Sequence, residues 1–419
     1  MTTAIICIFI AGYIMVAMES VTKINKAAIS LIMAVLCWTL LYLGFGATTE
    51  HAEAFTKGLG ETSEILFFLM GAMVIVEVVD TNGGFYPIRE KLVSRTKTGI
   101  LWKLTFATFF LSSVLDNMTT AIVMTMVVDK LVSDRKEKLY YASMIILASN
   151  SGGAFSPIGD VTTIMLWIKG NISTFGVIRS LFLPSLVSVI LPAAILSFIL
   201  KGELSIDKSR MKIQDDSDRK TSSSKRLLIF WIGIGGLLLI PVFRFLTGLP
   251  PFMGILLVLS ILWIVTEKHH SELSDVSVLL HKIDLSTILF FLGILTTVAA
   301  LSETGILKAL GIYLDRAFNG NPYMITGIIG YLSAVVDNVP LVASCMGMYD
   351  LSVYGKDDIL WQLLAYSAGV GGSMLIIGSA AGVVVMGLQK ISFGWYLKHF
   401  SWIAMLGYLA GMLTFSLTI

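Results

Sequence analysis

Val114-Leu115-Asp116-Asn117 and Val335-Val336-Asp337-Asn338 are the stretches whose reading decides the fold. Each sets an Asp-Asn pair in the middle of an apolar segment of about 30 residues, 100–131 and 322–349. At 1.5 Å per residue, one continuous helix of that length overshoots a bilayer core of about 30 Å by roughly half. Two short half-helices meeting at Asp-Asn fit better, as a hairpin that enters and leaves on one side.

The match extends outward in the same order in both halves. Ile65-Leu66-Phe67-Phe68-Leu69 pairs with Ile288-Leu289-Phe290-Phe291-Leu292, and Asp80-Thr81 with Glu303-Thr304. Gly152-Gly153 and Gly159 pair with Gly371-Gly372 and Gly378, and the offset drifts only from 223 to 219 residues. Such order points to an internal duplication. The one markedly hydrophilic stretch, 201–226, carries eight basic and five acidic residues and reads as a cytoplasmic linker. The expected organisation is a first membrane repeat at 1–200, the linker at 201–226 and a second, inverted repeat at 227–419.

Composition sets the class. Of 419 residues, 56% are hydrophobic and only 14% charged, and mean hydropathy is +0.83, whereas soluble domains carry about 25% charged residues. Charge-free runs long enough to span recur at 1–18, 27–49, 180–200, 245–266 and 400–419. The first run has neither a basic start nor a small-residue cleavage site and reads as a retained helix. Cys7, Cys37 and Cys345 lie inside apolar runs, where a free thiol acts as a small hydrophobe. A net charge of +2 gives no reason to expect a nucleic-acid partner. No cofactor is expected.

Charge then orients the chain. If each hairpin is re-entrant, each repeat makes five spans, an odd number, so the second is inverted. With the linker in the cytoplasm, 23 of the 30 Lys and Arg fall on cytoplasmic segments, as the positive-inside rule requires. Arg89, Lys91, Arg95 and Lys97 before the first hairpin, with Lys130, Arg135, Lys136 and Lys138 after it, place both its flanks inside. The second hairpin, flanked by few basic residues beside Asp315, Asp350, Asp357 and Asp358, is expected to enter from outside. The fold class is thus an all-α polytopic membrane protein of two inverted repeats, each with five spans, one re-entrant hairpin and one broken helix.

Carboxylates at membrane depth are costly, about 2.5 to 3.5 kcal/mol each on insertion scales, and four fall there: Glu77, Asp116, Asp160 and Asp337. Glu77 sits near a helix end, where it either faces water or serves a proton path. Asp116 and Asp337 sit at hairpin tips, where Asp also caps helix starts. Ser149-Asn150-Ser151-Gly152-Gly153-Ala154-Phe155-Ser156-Pro157-Ile158-Gly159-Asp160-Val161-Thr162-Thr163 interrupts an apolar run with helix breakers and oxygen-bearing side chains. Backbone freed in this way persists at membrane depth only where it lines a cavity or packs on protein. The counterpart around Ser373 has the glycines, Gly371, Gly372, Gly378 and Gly382, but no carboxylate. Small residues also serve close helix packing, yet packing does not account for Asp160 beside Thr162 and Thr163. Carboxylate, hydroxyl, amide and carbonyl oxygens are the ligands of a hard cation such as sodium.

Leu115-Asp116-Asn117-Met118-Thr119-Thr120, the 149–163 motif and Val336-Asp337-Asn338-Val339-Pro340 resemble the NhaD-type sodium/proton antiporters of the ion transporter superfamily, which also holds dicarboxylate/sodium symporters and arsenite permeases. The resemblance covers nearly the whole chain. It implies a scaffold and a transport domain, a homodimer among membrane lipids, and a bacterial cytoplasmic (inner) membrane location. By motif it implies cation or proton binding at Asp116, Asn117, Thr119, Asn150, Asp160, Thr162, Thr163, Asp337, Asn338 and Ser373. Sodium itself is expected at Asp116, Asn117, Asn150, Asp160 and Thr162.

Exchange of sodium or lithium for protons is the leading expectation, because a buried carboxylate can hold either a proton or a cation. The alternative is a sodium-coupled organic anion (dicarboxylate) symporter. Its signature is carboxylate-free hairpin tips with half-helix N-termini facing the anion, and Asp116 and Asp337 oppose it. No HExxH or GxSxG motif is present, and His51, His269, His270, His281 and His399 lie near expected membrane edges, so an enzyme is not expected.

Overall fold

The computed structural model describes residues 2–46, 48–85, 92, 94–203, 223–267, 279–280 and 283–419. Most of the expected linker (204–222), Arg89, Lys91, His269, His270 and His281 lie outside them, as does the side chain of Lys130. The described residues form helices, with one isolated bridge between Thr96 and Glu203.

The first half runs α1 (Thr2–Ala17), α2 (Glu19–Thr22), α3 (Lys26–Phe45), α4 (Thr49–Thr81), α5 (Lys97–Ser112), α6 (Asn117–Leu131), α7 (Arg135–Ala154), α8 (Val161–Ile168) and α9 (Thr174–Ile199). The second runs α10 (Ser223–Thr247), α11 (Pro251–Glu267), α12 (Leu285–Glu303), α13 (Ile306–Ala317), α14 (Pro322–Ser333), α15 (Asn338–Met348), α16 (Ile359–Gly371), α17 (Ala380–Gln389), α18 (Phe393–His399) and α19 (Ser401–Thr418). Helix starts follow side-chain caps: Asn25, Thr48, Thr96, Asp134, Ser173, Asp284 and Asp358 each accept a backbone N–H of the first turn, which satisfies donors that the helix itself cannot.

Among the described residues, six helices, α3, α4, α9, α10, α12 and α19, are long and apolar enough to cross a membrane. Large apolar side chains such as Leu43, Phe198, Phe245 and Leu417 are exposed on them, a surface that suits lipid and not water. The chain is an all-helical polytopic membrane protein.

The long segments around both Asp-Asn pairs are interrupted where the sequence predicts. Helix α5 ends at Ser112 and α6 begins at Asn117; α14 ends at Ser333 and α15 begins at Asn338. The following helices are also broken, α7 from α8 and α16 from α17. Corresponding elements pack in corresponding pairs: α5 on α7 and α14 on α16, α1 on α3 and α10 on α11, α3 on α12 and α11 on α4.

The glycines of these segments act by close approach. A Cβ on Gly152 would lie 2.1 Å from the Phe109 carbonyl oxygen, and one on Gly371 would lie 2.5 Å from that of Gly330. For Gly159 and Gly378 the obstructing atoms are the carbonyl oxygens of Ser112 and Ser333, each 2.5 Å away. Gly382 likewise meets the Ile376 carbonyl oxygen. Backbone atoms cannot rotate aside, so a methyl at Gly152, Gly159, Gly371 or Gly378 would have to push half-helix and broken helix apart, and one at Gly382 would have to open the break of its own helix. Close packing between helices therefore holds for Gly371, as for Gly152 and Gly159, whereas Gly372 and Gly382 meet carbonyls of their own break, those of Gly378 and Ile376. Serines rivet the same contacts: Ser112 Oγ donates to Ser149 O at 2.6 Å, and Ser333 Oγ to Ala368 O at 2.7 Å.

Candidate functional site

The two breaks and the two Asp-Asn tips meet at one buried polar cluster. Asp160 caps α8, with Oδ1 accepting from Thr162 N at 3.0 Å. Its Oδ2 accepts from Asn117 Nδ2 at 3.0 Å and Asn338 Nδ2 at 3.4 Å, one amide from each tip. Asn117 Nδ2 also donates to Asn150 Oδ1 at 3.0 Å, and Asn150 Nδ2 donates to Ser373 Oγ and Ser379 Oγ, both at 2.9 Å. Thr163 Oγ1 donates to the Asp160 carbonyl at 2.9 Å. All eight of these side chains are buried.

Charge and hydrogen bonding define what this cluster can do. Asp160 is 1% exposed, and every donor reaching its carboxylate is neutral. An ionised carboxylate removed from water is severely penalised unless a cation or a proton accompanies it. The Thr162 hydroxyl, beside it, is buried without a hydrogen-bond partner. An unused hydroxyl next to a carboxylate and amide oxygens is a donor set for a hard cation. Asn117, Asn150, Asp160 and Thr162 of the expected sodium set are thus brought together.

Asp116 stands beside that set and not in it. It caps α6, with Oδ1 accepting from Thr119 N at 2.8 Å and Oδ2 from the Thr119 hydroxyl in a short bond. Thr119 is accordingly spent on Asp116 and does not reach Asp160. The Asp116 tip borders a small apolar pocket of about 40 Å³ with Phe68, Met73 and Phe291 of α4 and α12. Both Asp116 and Asp337 remain within electrostatic reach of Asp160. Asp337 caps α15 through Val339 N at 3.4 Å and pairs with Lys26 Nζ at 3.1 Å. Glu77 lies on α4 and accepts from the Thr81 hydroxyl at 3.2 Å.

At the far end of α4, which runs 33 residues and overshoots a bilayer, lies a polar cavity of about 820 Å³ lined by Glu50, Glu53, Glu61, Glu303 and Asp350 against Lys57 and Lys169. Five carboxylates against two ammonium groups give this cavity a negative bias near neutrality.

The family described as citrate transporter (CitMHS) matches residues 13–363. Over 414 residues the chain is 44% identical to sodium/proton antiporter 1 of Arabidopsis thaliana, spanning 98% of this chain and 71% of that protein. Identity to sodium/proton antiporter 2 of the same plant is 42%, over 97% of each chain. The Na(+)/H(+) antiporter NhaD of Alkalimonas amylolytica is 30% identical over 97% of this chain and 88% of its own. The chain belongs to the NhaD-type sodium/proton antiporter family.

Within this NhaD-type chain, two residues of the site escaped the sequence reading. Ser379 caps α17 through Gly382 N at 3.1 Å, as Asp160 caps α8, and it stands 219 residues after Asp160, the offset of the flanking Gly159 and Gly378. Register alone would have found it. Lys26 had no such signal, because its partner Asp337 is 311 residues away in the chain.

Proposed function

We propose that this chain exchanges sodium or lithium for protons by alternating access, with Asp160 as the carboxylate that both ions share. The observation that carries this reading is the buried Asp160 with only neutral donors around it. Whichever ion leaves, the other must take its place or the bare charge remains in a dry site. The names of the plant and bacterial relatives support the same chemistry.

Organic anion symport, which the citrate description of the matching family would suggest, fits the cluster poorly. Of the four helix starts at the cluster, those of α6, α8 and α15 are each capped by their own carboxylate, Asp116, Asp160 and Asp337, and α17 alone by a neutral group, Ser379, so three of the four repel an anion. The test is purified protein in liposomes under an imposed pH gradient. Sodium or lithium alone is expected to collapse the gradient. A requirement for citrate or succinate would replace antiport with symport.

The architecture we propose is two inverted repeats, 1–200 and 227–419, each with five spans, a re-entrant hairpin (α5–α6, α14–α15) and a broken helix (α7–α8, α16–α17), joined by a cytoplasmic linker. The matched packing pairs and the paired serine bonds support the duplication. Hairpins and broken helices form the transport domain; α3, α4, α11 and α12 belong to the scaffold. The polar cavity at the start of α4 then opens outside, and its acidic lining favours cations. A homodimer in a bacterial cytoplasmic membrane follows the family resemblance and the basic inner loops. Single cysteines placed near Arg95 and near Lys136 are expected to react only from the cytoplasm. Reaction from opposite sides would make the first hairpin a through-span and end the inverted-repeat reading.

A further inference from the structure

The Lys26–Asp337 ion pair joins the start of α3 to the second tip and takes no part in the exchange chemistry above. Lys26 Nζ lies 3.1 Å from Asp337 Oδ2, with the two side chains 19% and 14% exposed. It also sits 4.3 Å from the centroid of the Phe290 ring. A carboxylate and an aromatic face together compensate an ammonium that has lost most of its water. The lysine is anchored from behind. Its N–H donates to Glu19 Oε1 at 3.1 Å, Asn25 caps α3, and Asn25 Nδ2 donates to Ser286 Oγ of α12 at 2.8 Å.

Among the described residues, the other half brings no such cation to its tip. Phe67, the counterpart of Phe290 at offset 223, faces Phe252 near the start of α11, with ring centroids 6.2 Å apart. Where one half brings an ammonium to ring and carboxylate, the other brings a second ring. Among the described residues no basic side chain pairs with Asp116, whose oxygens go to Thr119. The asymmetry matches that of the broken helices, where Asp160 stands opposite Ser379.

We infer that Lys26 is the chain's own counter-cation at Asp337, filling the place a sodium ion would take beside the second tip and so confining sodium to the half that carries Asp160. The inference rests on the antiport reading for its meaning, though not for its measurement. Asp337 is next in sequence to Asn338, whose amide reaches Asp160 at 3.4 Å. A half-buried carboxylate so close to the cluster would attract a second cation if nothing held it. A tethered ammonium supplies that charge permanently and cannot be transported.

The test compares wild type, Lys26→Met, Lys26→Arg, Asp337→Asn and the Lys26→Met/Asp337→Asn double variant. Radioactive sodium bound per protomer is measured on purified protein, with thermal unfolding as the check on folding. Lys26→Met is expected to bind one more sodium than wild type, whereas Lys26→Arg, Asp337→Asn and the double variant keep the wild-type number. An unchanged number in folded Lys26→Met overturns the inference and leaves the pair as a mechanical tether. Should Lys26→Met not fold, the polar Lys26→Gln takes its place with the same extra sodium expected and the same overturning result, and a sodium lost in Asp337→Asn overturns the inference as well. Failure of the antiport reading would show separately, as wild-type liposomes that sodium does not acidify or alkalinise.

Discussion

Asp160→Asn is expected to reduce sodium-driven proton exchange in liposomes to the level of protein-free vesicles while the protein still inserts. A unit charge about 3 Å from a bound cation contributes on the order of 5 kcal/mol at an effective dielectric near 20, roughly four orders of magnitude in affinity. The amide cannot supply that charge, nor can it carry a proton off and on. Folding is disturbed far less. Asparagine remains a good helix cap for α8, but its NH2 must face either Thr162 N–H or the Asn117 and Asn338 amides, donor against donor. Such a mismatch costs about 1–3 kcal/mol. Intact expression with no exchange is therefore the expected pair of results, read by membrane yield and by a pH dye. Exchange at the wild-type rate would remove Asp160 from the mechanism.

Asp116→Asn should raise the apparent sodium KM about 30-fold, with the capping of α6 preserved. As a pure cap the substitution is nearly silent, since asparagine caps as well as aspartate, and the difference is a few tenths of a kcal/mol. As a source of field it is not. Unit charges 4 to 8 Å apart interact by on the order of 2 to 4 kcal/mol at a dielectric near 20, and Asp116 lies within electrostatic reach of Asp160. Asp337→Asn is expected to raise KM less, because the flexible stem of Lys26 lets its ammonium withdraw toward water once the partner is gone. Sodium titrations of exchange in the two variants distinguish the cases. Near-wild-type KM in both would return the paired Asp-Asn motif to a purely structural role.

Much of this architecture could be read from the chain because its determinants are local. The breaks at Asp116 and Asp337 announce themselves as carboxylates inside apolar segments, and the broken helix before Asp160 as Gly and Pro inside another. An offset near 220 also aligned glycines whose missing Cβ atoms admit a neighbouring backbone. The site was harder. Asn117, Asn150 and Asp160 converge as expected, but nothing in the sequence tells whether the Asp116 oxygens turn to the cluster or to Thr119 three residues on. Ser379 is one hydroxyl among many small residues and stands out only beside its counterpart Asp160. The Lys26–Asp337 pair could not be read at all, because it depends on how α3 and the second tip come together in three dimensions.

One carboxylate shared between sodium and proton must give up its proton when sodium binds. Sodium chloride is added to the purified protein in a weakly buffered solution, and the pH change and bound radioactive sodium are followed together, with choline chloride as control. Protons are expected to be released as sodium binds in the wild type, and none to be released by Asp160→Asn. Sodium binding to the wild type without proton release, or equal release from Asp160→Asn, would contradict that sharing.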